Sequence, residues 1–156
     1  MFEKIYAKFS DRIYRFLYWH TRDPHLAEDL TSDVFERALK HWDQAEEKTV
    51  QAWLYRIAGN LVTDNWRKKK AQRLEGMELA YDQRVAEELE KKEAIRSLGR
   101  ALDRLPEKLK TIVIMRFVED YSAREVGEMM GLSEGNIRVL QYRALKLLKQ
   151  ELDGQI

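Results

Sequence analysis

Two groups of side chains in this 156-residue sequence have the types and spacing to bind nucleic acid. Arg138, Arg143, Lys146 and Lys149 load one helical stretch, and Arg67-Lys68-Lys69-Lys70 is a concentrated basic run. Ammonium and guanidinium groups take phosphate oxygens, and an arginine can grip guanine in bidentate fashion, each good pair discriminating by roughly 1–3 kcal/mol. Little else in the chain could do chemistry. There is no cysteine, and His20, His25 and His41 lack metal-ligand spacing and read as surface residues. No phosphate loop, cysteine nucleophile or histidine paired with acids on a convincing face is present, so no catalytic residue, metal or cofactor is expected and an enzyme is the least favoured class.

The element that must position the second basic group runs from Ser122 to Leu140 and reads as a helix-turn-helix. Ser122 with Glu125 three residues on is a capping box, which starts a helix. Gly131 can adopt the left-handed conformation that ends it, and Ser133 is an N-cap for the next. Val126, Met130, Leu132, Ile137 and Leu140 are apolar where two crossed helices share a core. Gly127 sits where they approach; a helix-interior glycine costs roughly 1 kcal/mol against alanine, so a packing reason is expected. The segment suggests DNA binding, with a bare helical hairpin as the alternative.

The net charge of +1 is low for a protein that binds phosphate by itself. Residues 1–70 carry 13 Lys+Arg against 11 Asp+Glu, residues 71–100 carry 6 against 7, and residues 101–156 carry 9 of each. The basic character is therefore local, and weak intrinsic affinity for DNA is expected unless a larger basic partner supplies the rest. No apolar run approaches the roughly 20 residues that span a bilayer, and the N-terminus has charges where a signal peptide needs an apolar stretch. A soluble protein of a reducing compartment, not an integral membrane protein, is expected.

With two prolines and seven glycines, the chain reads as all-α. Phe2, Ile5, Phe9, Ile13, Phe16 and Leu17 form the apolar face of a first helix ending near Thr21. Asp23-Pro24 then offers an N-cap and a first-turn proline for a second helix lined by Leu26, Leu30, Val34, Phe35, Ala38 and Trp42. That pattern leaves Glu28, Asp29, Ser32, Asp33 and Glu36 outside. Asp43–Lys48 reads as a polar loop, and a third helix from about Thr49, with Trp53 as a packing residue, ends in the basic run. On it, Asn60 and Asp64 lie one turn apart and share a face. Residues 71–93 read as a charge-rich linker. A second unit over 94–156 begins with Ile95, Leu98, Leu102 and Leu105; Pro106 then opens a helix carrying Leu109, Ile112, Val113 and Phe117. The simplest architecture is two small helical domains, 1–70 and 94–156, joined by a linker.

The segments LAEDLTSDVFERAL, WLYRIAGNLVTDNWR, LDRLP and YSAREVGEMMGLSEGNIRVLQYRALKLLKQEL resemble, in order and spacing, successive signatures of the extracytoplasmic-function sigma factors. The resemblance covers essentially the whole chain. These minimal bacterial sigma factors keep only the second and fourth sigma domains, bind core RNA polymerase and direct it to promoters. The resemblance therefore implies an alternative sigma factor acting in the cytoplasm, with core polymerase, promoter DNA and an anti-sigma factor as partners. It also explains the near-neutral charge, since polymerase supplies most of the grip on DNA. No regulatory domain is expected after Ile156.

The resemblance assigns roles residue by residue. Asp29, Ser32, Asp33 and Glu36 fall on the helix that meets the polymerase; Ser32 stands where the family commonly has glutamine, and a solvated acidic face is the bland alternative. Asn60 matches a position that reads a base flipped out of the minus-ten element, and Asp64 shares its pocket, though an aspartate there leaves base preference open. Arg67, Lys68 and Lys69 match phosphate contacts, against a simply solvated helix end; Trp66 beside them is open. Arg138, Val139, Tyr142, Arg143 and Lys146 face the major groove of the minus-thirty-five element, with Val139 able to touch a thymine methyl. Val139-Leu140 replaces the serine and arginine frequent in the family, so no particular promoter sequence is implied. A stand-alone helix-turn-helix regulator that dimerises on DNA is the runner-up, and a protein-binding adaptor the third class.

Overall fold

Local capping sets the helix boundaries. The Asp23 carboxylate accepts hydrogen bonds from the His25 and Leu26 backbone N–H groups at 3.1 and 3.2 Å, with Pro24 in the first turn, and so opens the second helix. Ser122 Oγ accepts from Glu125 N while Glu125 Oε1 accepts from Ser122 N, completing the expected box. Gly131 takes φ 71°, and Ser133 Oγ caps the next helix through Asn136 N.

The computed structural model describes residues 1–46, 48–74 and 93–154, without the side chains of 69–74. Among the described residues there are seven α-helices and no strand: α1 (Phe2–Thr21), α2 (Pro24–Lys40), α3 (Val50–Leu74), α4 (Glu93–Asp103), α5 (Glu107–Val113), α6 (Ala123–Met130) and α7 (Glu134–Asp153). A 3-10 turn spans Trp42–Gln44, and a π-helical turn, Ile114–Val118, leads from α5 towards α6. α3 does not stop at the basic run; it passes through the expected boundary after Lys70 and continues to Leu74. Most of the expected linker, 75–92, lies outside the described residues.

The apolar stripes of α1, α2 and α3 face one another, with Ile13, Phe16, Leu17, Val34 and Leu54 fully buried. Trp53 is partly buried against this core, its ring 6.4 Å from that of Trp42, in line with a packing role. A second core joins α4, α5 and α7 through Ala101, Leu102, Leu105, Val113, Ala144 and Leu148. The first core does not end with the N-terminal half. Met115, Tyr121, Ala123, Val126, Met129 and Ile137 belong to it, so the two helical domains pack on each other as well as each on itself.

Three expectations need correction. Phe117 is 52% exposed; it lies inside the π-helical turn Ile114–Val118, where the i→i+5 bond from Glu119 N to Ile114 O breaks the 3.6-residue spacing that put it on the apolar face. Ile95, at the start of α4, is also exposed, at 47%. His20 is not a surface residue: its Nε2 lies 3.0 Å from Thr111 Oγ1 across the domain seam, while His25 and His41 are exposed as expected.

A Cβ placed at Gly127 would sit 2.5 Å from the Leu132 backbone oxygen, which is the close approach between α6 and the turn to α7. Gly127→Ala should therefore destabilise the fold by about 1–3 kcal/mol in denaturant unfolding, despite alanine's better helix propensity. Burial of the His20 ring, and then the nearby Lys110 ammonium, push its pKa well below 6.5. The unfolded imidazole takes up a proton as pH falls through about 6.5 and the folded one does not, so stability is lost in that direction. Unfolding measured between pH 7.5 and 5.5 should show this loss, and His20→Asn should flatten it.

Candidate nucleic-acid interface

α7 presents one face inward and one outward. Ile137, Ala144 and Leu148 are buried and Leu140 is half-buried. Arg138, Val139, Tyr142, Arg143 and Lys146 are all exposed, Val139 at 53% and Tyr142 at 71%. Exposed apolar groups beside three cations suit a surface that meets both bases and phosphates. Arg138 Nη2 is held 2.8 Å from Glu134 Oε1, one turn earlier. Such an exposed pair contributes little and can be exchanged for a base or phosphate. Gln141 faces another way, accepting a 2.8 Å hydrogen bond from Arg116 Nε, and Arg116 Nη1 donates to the Tyr121 carbonyl at 2.8 Å. α7 is thereby tied to the π-helical turn.

On α3, Asn60, Asp64, Arg67 and Lys68 are exposed and follow one another at helical spacing, so amide, carboxylate and two cations share a stripe. The side chain of Lys69 lies outside the described residues. Asn60 borders a cleft of 390 Å³ whose far wall, with Lys108, Met129 and Met130, comes from the C-terminal half. Asp64 follows Asn60 one turn later on the same exposed stripe, and Asn60 shares its cleft with Met129 and Met130 of α6. Trp66 is 53% exposed and borders a different cleft, with His20, Asp103 and Lys110.

α2 forms a third surface. Ala27, Leu30, Val34 and Ala38 are buried, whereas Asp29, Ser32, Asp33 and Glu36 are exposed along one stripe. Among the described residues none of the three carboxylates is ion-paired, so the face is free to meet a basic partner.

The sequence did not point to the polar groups that join the halves. Arg12 Nη1 donates to Tyr121 Oη at 3.1 Å, Tyr121 Oη to Tyr55 Oη at 3.1 Å, and Tyr55 Oη to Glu119 Oε2 at 3.4 Å. Arg15 Nε stands 3.6 Å from the other Glu119 oxygen. Burial raises the Glu119 pKa, opposed by Arg15 and Arg12. Further along the seam, Lys110 Nζ donates to the His20 carbonyl and to Asp103 Oδ1, both at 2.9 Å, and Arg22 Nη1 lies 3.0 Å from Asp103 Oδ2. At the rim Thr63 Oγ1 donates to Glu107 at 2.7 Å, and Arg56 Nη2 to the Glu128 carbonyl at 3.2 Å. Apart from Lys110–Asp103, seven residues apart within the second half, these pairs are 44 to 109 residues apart in sequence, and no local signal announces them.

Comparison with known proteins places these surfaces in a family. Residues 5–72 match sigma-70 region 2 and residues 95–148 match sigma-70 region 4. The chain is 29% identical to the ECF RNA polymerase sigma factor SigW of Bacillus subtilis, over 97% of its own length and 88% of that protein's. It is 30% identical to the RNA polymerase sigma factor SigV of the same organism, over 89% and 83%. The sigma factor RpoE of Bartonella quintana, solved in complex with the anti-sigma factor NepR, has the same fold, with a TM-score of 0.75 at 21% identity over 97% of this chain and 96% of that one. Among the described residues no helix is long and apolar enough to cross a membrane. By these matches along both halves, the chain belongs to the extracytoplasmic-function (ECF) RNA polymerase sigma factors.

Proposed function

We propose that this protein is an alternative sigma factor that binds core RNA polymerase and directs promoter-specific initiation in the cytoplasm, without catalysis of its own. The observation that carries this reading is the separation of three exposed surfaces on one chain: the acidic stripe of α2, the Asn60–Lys68 stripe of α3 and the Arg/Tyr face of α7. The acidic stripe serves the polymerase. Asn60 and Asp64 hold a base unstacked from the minus-ten element, Arg67, Lys68 and Lys69 neutralise phosphates beside it, and α7 enters the major groove of the minus-thirty-five element. An anti-sigma factor is the regulatory partner, by analogy with the relative solved with one.

The division of labour is directly testable. Purified protein mixed with core polymerase should give promoter-specific transcripts that core alone does not; a protein that forms no polymerase complex and holds duplex DNA tightly by itself would exclude the reading. Asn60→Ala should reduce promoter opening roughly tenfold, the loss of about 1–3 kcal/mol of base recognition, with polymerase affinity unchanged. Asp29→Ala should do the reverse. Equal effects of both variants on both measurements would overturn the assignment.

A further inference from the structure

α7 rests on the rest of the molecule by a narrow stripe. Ile137, Ala144 and Leu148 are buried, Leu140 and Gln141 are half-buried, and the residues between them are exposed. Apolar packing holds a helix down but is non-directional, so by itself it fixes the roll of α7 about its axis only loosely. Roll matters for the outward face. With side-chain tips about 6 Å from the axis, a turn of about 10° carries them about 1 Å. A hydrogen bond to a base edge tolerates only about 0.5 Å. At about 100° per residue, Gln141 lies on the border of the buried stripe, about 60° from Arg138 and about 100° from Tyr142.

A directional tie sits on that border. Arg116 Nε donates to Gln141 Oε1 and Arg116 Nη1 to the Tyr121 carbonyl, both at 2.8 Å. Tyr121 directly precedes the Ser122 cap of α6, and its own N–H donates to the Met115 carbonyl at 2.9 Å. One planar guanidinium thus holds the start of α6 and the middle of α7 together, and its central carbon lies 5.9 Å from the centre of the Phe117 ring. Arg116 is half-buried at the middle of the π-helical turn Ile114–Val118, the kind of irregularity that is frequent at functional sites. Among the described residues, Gln141 is the one side chain between Ser133 and Glu151 that bonds α7 to another element; Arg138 pairs only within the helix.

We propose that Arg116 is a positioning residue for promoter reading: through Gln141 it fixes the roll of α7, and so sets how sharply Val139, Tyr142 and Arg143 discriminate among minus-thirty-five sequences. The proposal rests on the sigma-factor reading and adds to it a specificity-determining pair behind the reading face. Two of the three guanidinium nitrogens are committed inside the domain, to uncharged acceptors. Arg116 therefore acts on DNA through Gln141 and not by a phosphate contact of its own. Gln141→Leu keeps the bulk of the side chain and removes the acceptor. Arg116→Lys keeps the charge and removes the fork that reaches two acceptors at once.

The test uses core polymerase loaded with this chain and promoters randomised over the minus-thirty-five element but constant elsewhere. The ratio of the best sequence to its single-mismatch neighbours is read from the open complexes formed. Gln141→Leu and Arg116→Lys should each cut this ratio about fivefold, with polymerase affinity within about twofold of the unmodified protein. The double variant should fall no further than either single one, because both remove the same tie. A merely structural loss lowers the active fraction for every promoter alike and leaves the ratio unchanged, and that result would overturn the proposal. So would an Arg116→Ala variant that weakens all sequences uniformly and makes the salt dependence shallower by about one unit, the mark of a phosphate contact. If the unmodified complex shows no preference across the library, the sigma-factor reading fails and the proposal with it. A sharp preference that both variants keep would overturn the proposal alone.

Discussion

Two buried tyrosine hydroxyls govern how this molecule is arranged. A buried hydroxyl must find a partner, and Tyr55 and Tyr121 find each other, with an arginine at one end of the chain and a carboxylate at the other. The donors run in one direction, from the Arg12 guanidinium through both hydroxyls to Glu119, so each O–H is used once. Their rings meet edge to face at 5.3 Å, and the Phe16 ring packs on Tyr55 at the same distance. Few placements of one half on the other satisfy both the hydrogen bonds and the ring geometry. Tyr121 directly precedes the capping box of α6, so fixing it fixes where α6 starts; the contact at Gly127 then sets the turn into α7. The direction of the recognition helix thus follows from a hydrogen bond made by α3.

Charge is distributed to the same end. With a net charge of +1 the molecule has no long-range pull on DNA, and at physiological salt each charge is felt over only about 8 Å. What matters is which sign sits on which face. α7 carries its cations outward but keeps Arg138 on Glu134, whereas among the described residues Asp29, Asp33 and Glu36 of α2 are in no ion pair. A helix that neutralises only a few phosphates binds DNA weakly and with a shallow salt dependence. In the proposed function that weakness is useful, because recognition then waits for the polymerase that α2 recruits.

What could be read in the sequence was what neighbouring residues encode. The Asp23 cap, the Ser122/Glu125 box, the left-handed Gly131 and the apolar stripe of α2 each depend on residues within a turn or two, and all stand in the structure. The close approach at Gly127 was legible for the same reason, since a glycine inside a helix needs a cause. Phe117 was misplaced because helical spacing was assumed through a stretch that contains a π-helical turn, and nothing in IMRFV marks the extra residue. His20 was misplaced because its partner, Thr111, is 91 residues away. Of the candidate site residues, those with described side chains lie exposed where periodicity put them; the apposition of Asn60 to Met129 and Met130 is a tertiary fact with no local trace.

α1 shows why a polar helix face is easily misread. Its apolar stripe packs on α2 and α3, which leaves Arg12 and Arg15, with Arg22 just past its end, as apparent solvent residues. Instead Arg12 and Arg15 meet Tyr121 and Glu119, and Arg22 meets Asp103, so α1 and the turn after it form the surface on which the second half rests. Gly99 belongs to the same surface, since a Cβ there would come 2.6 Å from the Arg22 Nε and close the slot the guanidinium occupies. A face made of long cationic side chains is stable in water and equally stable against carboxylates, because their stems pack while their heads exchange one hydrated partner for another. An apolar seam would have to stay covered at all times. A seam of arginines, tyrosines and carboxylates can be covered or bare, because each of its groups finds a hydrogen-bond partner in water as well as across the seam.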